Sequence, residues 1–284
     1  MTAWTAFASV AGVVTVLLLL ASHTTSQQFG GSGDGDRVGT LVHGEASVGR
    51  EPREAVAPRE FGVDVEAERV LSLPGGRERV AARELAGAPA LSQPMLLLNV
   101  ALSQGVFGCV LVVAVVLADV PWTAVGLGFG QVTGWLFLVG VALGVALYAV
   151  NEVGGSLADA AGLGRSEALR ELMAPTSRRG WVVLLGGVLP IVAVFEELLF
   201  RGVLVGALSV GFGVSPWLLV VASSVLFGLG HGAQGRLGVL VTGALGVVLA
   251  TAFVLSGSLL VVVVAHYLVN ALEFVVHEGV LAGE

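Results

Sequence analysis

The stretch GWVVLLGGVLPIVAVFEELLFRGVLVGAL, residues 180–208, is apolar from end to end except for Glu196, Glu197 and Arg201. Its length exceeds the roughly 20 helical residues that cross a hydrocarbon core of about 30 Å. A charge near the bilayer centre costs at least about 2.5 kcal/mol on insertion scales. Charges in such a place face protein or a wet cavity, and they mark function by default. The segment therefore predicts a membrane-spanning helix with its ionised groups turned inward.

Composition extends that reading to the whole chain. Of 284 residues, 55% are hydrophobic and 12% charged, with a mean hydropathy of +0.91. Soluble domains hold about 25% charged residues, so the chain reads as an all-α integral membrane protein. All 14 basic residues are arginine and the net charge is −7. No basic patch suits a nucleic acid. Cys109 is the single cysteine, which excludes a disulfide framework or a cysteine metal cluster within one chain.

Hydropathy predicts a polytopic bundle of about seven spans, at about 4–21, 95–118, 132–150, 181–208, 216–230, 236–255 and 259–277. The first, with VVTVLLLLAS at residues 13–22, is signal-like, but no basic residue precedes it and no clear cleavage site follows. A transmembrane anchor over residues 1–22 is the favoured reading. Residues 23–93 form a polar arm, opening with the linker-like SQQFGGSGDGD and continuing with interspersed arginine and glutamate. Residues 94–284 form the multi-span membrane domain. Arg83 precedes the second span, Arg178 and Arg179 abut the fourth, and Arg236 opens the sixth, whereas loops 119–131, 209–215 and 256–258 carry no arginine. The arginine-bearing face, and the 23–93 arm with it, is expected to be cytoplasmic in a cell membrane.

The polar residues inside the spans can be compared by depth. Residues four apart share a helix face, so Arg201 stands over Glu197, while Glu196 points about 100° away without that partner. A free carboxylate is a candidate general base. The fifth span ends in SSVLFGLGHG, which places Phe227 and His231 on one face. The seventh holds HYLVN, with His266 and Asn270 stacked and Glu273 about a turn beyond. At about 1.5 Å per residue, Glu196 lies roughly 18 Å below Leu208 and His231 roughly 22 Å below Pro216. His266 and Asn270 lie roughly 10–18 Å below Ser258. The four occupy one slab, somewhat to the cytoplasmic side of centre.

Three motifs result: EELLFR (Glu196–Arg201), FGLGH (Phe227–His231) and HYLVN (His266–Asn270). In this order, over about residues 180–275, they resemble EExxxR, FxxxH and HxxxN of the CAAX-protease and bacteriocin-processing (CPBP) family of intramembrane proteases. That family includes the type II CAAX prenyl endopeptidases. The resemblance implies a catalytic cavity inside the bundle, with Glu196 activating the hydrolytic water and His231 holding or polarising it. It also implies that His266 and Asn270 donate hydrogen bonds to the oxyanion, that Glu197 and Arg201 brace the first glutamate, and that Phe227 supports the site. The implied partners are the lipid bilayer and a membrane-associated protein or peptide substrate. Pro190 is expected to bend the fourth span and open room for water.

Two questions stay open at this level. Glu196, His231 and His266 could hold a divalent metal such as zinc with a fourth position for water, although the asparagine favours an oxyanion site that requires none. The same fold could also serve a catalytically silent scaffold or immunity protein. An ion-coupled transporter is a third reading, but the inverted repeats and broken helices it calls for are not visible in the sequence. No serine or cysteine stands beside an obvious base, which disfavours a covalent mechanism.

Overall fold

A computed structural model describes residues 3–29, 92–160 and 168–280. The polar arm predicted over 23–93 lies almost wholly outside the described residues. Among the described residues every regular element is helical. We label them α1 (Trp4–Phe29), α2 (Gln93–Leu117), α3 (Gly134–Ala160), α4 (Ala168–Met173), α5 (Arg178–Phe212), α6 (Pro216–Leu229), α7 (Gly235–Ser256) and α8 (Leu259–Phe274). A 3₁₀ turn, Gly232–Gln234, joins α6 to α7, and a π-helical turn, Val275–Val280, extends α8.

Among the described residues six segments are long and apolar enough to cross a membrane, those containing α1, α2, α3, α5, α7 and α8. The seventh expected span is the exception. α6 is a 14-residue helix, about 21 Å long and short of the hydrocarbon thickness. It stops where Gly230 and Gly232 flank His231, because glycine gives a helix little reason to continue. His231 thus sits just past the end of α6, at the start of the 3₁₀ turn.

Burial ranks the helices. Half of the most apolar window is buried in α5 and in α8, against 11% in α2 and α3. The two helices that carry the charged and histidine motifs are therefore the inner ones. α1 packs into the same core through Phe7, Ala11 and Val14.

With no hydrophobic force between helices in lipid, close backbone approach at small residues holds such a bundle. α3 meets α8 at Gly140 and Gly144, where an added Cβ would lie 2.7 Å from the Val261 carbonyl and 2.9 Å from that of Ala265. α6 meets α7 at Gly228, where a Cβ would lie 2.7 Å from the Val239 carbonyl. α5 has two π-helical stretches, Leu184–Val188 and Leu198–Ala207. The first precedes Pro190, whose ring would clash with the carbonyl four residues back; wider turns relieve that clash. The segment 118–133 folds onto one end of the bundle, burying Val120, Ala124 and Val125. Gly126, at φ +78°, accepts a hydrogen bond at its carbonyl from the Leu259 amide, 3.0 Å away.

Candidate active site

Arg201 and Glu197 are completely buried. Arg201 Nη1 donates to Glu197 Oε1 at 2.6 Å, and Nη2 donates to the Gly246 carbonyl of α7 at 3.2 Å. The guanidinium carbon lies 4.3 Å from the centroid of the Phe227 ring, a cation–π distance. The arginine thereby ties α5, α6 and α7 together. The second π-helical stretch frees backbone carbonyls there, and Ser223 Oγ on α6 donates to the carbonyl of Phe200 at 2.7 Å. Wide turns of this kind recur at functional sites.

Glu197 also meets α8. Its Oε1 lies 2.7 Å from His266 Nδ1. A carboxylate paired with arginine only accepts, so the Nδ1 proton of His266 points at it. His231 is anchored in the same way, with Nδ1 2.8 Å from the Phe227 carbonyl, again an acceptor without a proton to give. Both imidazoles thus turn Nε2 toward one atom. Glu196 Oε2 is 3.9 Å from His231 Nε2 and 3.8 Å from His266 Nε2. Phe227 lies between the rings, with centroids 4.7 Å from His231 and 5.8 Å from His266. Glu196 and His266 are buried and His231 is half-buried.

The structure brings Glu196, Glu197, Arg201, Phe227, His231 and His266 into one constellation. Asn270 follows one turn after His266 on α8 and is half-buried. Glu273 goes elsewhere. It accepts from Arg170 at 2.9 Å and from Asn151 at 2.8 Å, beside a Glu152–His277 pair at 2.9 Å. Gly246 was not signalled by the sequence. Its carbonyl is chosen by the crossing of α5 and α7, which no local pattern encodes.

Buried polar atoms without a partner are few in native proteins and call for explanation. Among the described residues they are Glu196 Oε2, Glu197 Oε2, Arg201 Nε and Gln104 Oε1. The first three belong to this constellation.

For a metal, the donor types are suitable but their placement is not. Zinc binds oxygen and nitrogen ligands at about 2.0–2.2 Å, so all its ligand atoms must sit close to one another. Among the described residues, the group of three with ligand atoms all within 4.8 Å of one another is Glu152, Glu273 and His277. Glu196, His231 and His266 do not form such a group. As positioned, the two histidines flank the Glu196 carboxylate and do not close around a shared ion.

Residues 178–272 match the model of a family described as type II CAAX prenyl endopeptidase Rce1-like. No curated protein and no solved structure matches the chain.

Proposed function

We propose, since residues 178–272 match the model of the type II CAAX prenyl endopeptidase Rce1-like family, that the protein is an intramembrane endopeptidase acting through a glutamate-activated water. The observation that carries the reading is Glu196 Oε2, buried, without a hydrogen-bond partner and faced by two imidazole Nε2 atoms at 3.8 and 3.9 Å. These separations are too long for direct hydrogen bonds and suit a bridging water. Glu196 takes the proton of that water as it attacks the scissile carbonyl. His231, anchored at Nδ1, orients the water through Nε2.

His266 and Asn270 stabilise the oxyanion. For His266 the geometry adds a condition. Its Nδ1 proton is committed to Glu197, so donation from Nε2 requires the imidazolium, whose charge the adjacent carboxylates offset. Arg201 holds the Glu197 carboxylate in place against His266. Asn270 supplies a neutral amide donor one turn away. The substrate is a membrane-associated protein or peptide, and a prenylated CAAX peptide is the first to try.

The test is Glu196→Gln. It is expected to abolish cleavage of a farnesylated CAAX peptide, and to remove specific membrane-protein fragments from cells, while the purified protein inserts and melts as the wild type does. Undiminished cleavage by Glu196→Gln rules the assignment out. A silent scaffold would show no fragment difference between the two strains.

A further inference from the structure

Among the described residues, three of the four buried side-chain polar atoms without partners belong to the constellation around Glu196; the fourth is Gln104 Oε1. Gln104 lies on α2 midway between Leu97 and Leu111, which are 4% and 0% exposed. Seven-residue steps return to nearly the same face of a helix, so Gln104 belongs to the stripe that turns into the bundle. At the next residue, an added Cβ on Gly105 would lie 3.9 Å from Ile191 Cγ2, and one turn on from Gln104, an added Cβ on Gly108 would lie 3.7 Å from Phe195 Cβ. The Phe107 and Phe195 rings stand 6.1 Å apart. α2 therefore abuts α5 over the turn that leads directly into Glu196.

Gln104 is a half-buried amide on an apolar span, and its carbonyl oxygen is buried without a hydrogen-bond partner. In hydrocarbon each unsatisfied polar group costs several kcal/mol, and leucine would pack the same stripe without that cost. A transient partner resolves the conflict. A side-chain amide offers an acceptor and a donor side by side, which matches the N–H and C=O of an extended peptide.

We propose that Gln104 is a substrate-binding residue, whose Oε1 accepts a hydrogen bond from a backbone N–H of the peptide segment held beside Glu196. The inference rests on the protease reading above. It implies that α2, outside the matched segment 178–272, forms one wall of the substrate channel.

The test uses full-length wild type, Glu196→Gln and Gln104→Met, the last conserving volume while removing the acceptor. The first readout is thermal unfolding of each purified protein without substrate. Gln104→Met is expected to melt at or above the wild-type temperature, because an orphaned polar atom is removed. Melting several degrees lower would show that the amide has a structural partner, and would overturn the proposal. The second readout is the set of membrane-protein fragments that vanish in the Glu196→Gln strain. In the Gln104→Met strain these are expected to fall about tenfold, the scale of one lost hydrogen bond. Fragments at wild-type level in Gln104→Met sink the role of Gln104 and leave the protease reading standing. If no fragment depends on Glu196, the protease reading fails and takes this inference with it.

Discussion

Arg201 is the most constrained side chain of the site, with its charge spent on Glu197, the Gly246 carbonyl and the face of Phe227. Its pairing with Glu197 follows from four-residue spacing on a helix, and so does the separate orientation of Glu196. The contact of Glu197 with His266 does not follow from any spacing, because 69 residues separate them and only the crossing of α5 with α8 brings them together. Depth along the spans gave a common level for the four motif residues but not the direction of each ring nitrogen. Those directions come from Nδ1 anchors on a carboxylate and a backbone carbonyl. Arg201→Ala is expected to leave Glu197 as an uncompensated buried charge beside His266, a loss of roughly 3–5 kcal/mol. Thermal melting of the purified variant beside Glu196→Gln separates the two roles. A stable Arg201→Ala protein would mean that the ion pair is dispensable to the fold.

The positions of the helices were legible because hydropathy over about 20 residues is a strong signal. Their lengths were less so. The fifth candidate continued to residue 230 on apolarity alone, whereas α6 is 14 residues long and gives way to a 3₁₀ turn carrying His231 at its start. The π-helical stretches of α5 have no clear composition signature apart from Pro190. The segment 118–133 reads as a connecting loop, yet its Val125 is fully buried; its apolar residues are too few and irregular to announce that. The glycines of α3 carry a prediction at this scale. A larger side chain at Gly144 must displace α8, because even a Cβ would stand 2.9 Å from the Ala265 carbonyl and 2.9 Å from Leu268 Cβ. Ala265 immediately precedes His266, so Gly144→Val is expected to lower the melting temperature and reduce proteolysis at least tenfold. An active, stable Gly144→Val protein would show that α8 can shift without disturbing the site. The same change at Gly154, where nothing lies within 4 Å of an added Cβ, is the control.

At the scale of the whole molecule, orientation decides which compartment the proposed site would draw a substrate from. The described residues include six segments fit to span, plus α6, and apolarity by itself does not say which end faces the cytoplasm. Arginine is placed asymmetrically: Arg178 and Arg179 open α5 and Arg236 lies in the first turn of α7, while the segment between α2 and α3 and those on either side of α6–α7 at the opposite end carry none. By the positive-inside rule, the start of α5, the end of α8 and the 23–93 arm are expected on the cytoplasmic side. The arm lies almost wholly outside the described residues, so a chemical label is the direct measure. Cys109 is the single native thiol and is exposed on α2; Cys109→Ala removes it. Ser32→Cys in that background then reports the arm alone. It is expected to resist an impermeant thiol reagent in intact cells and to react once the membrane is opened. Labelling in intact cells would invert the molecule, placing both the arm and the half-buried His231 on the side away from the cytoplasm, and the substrate would have to be sought among exported proteins.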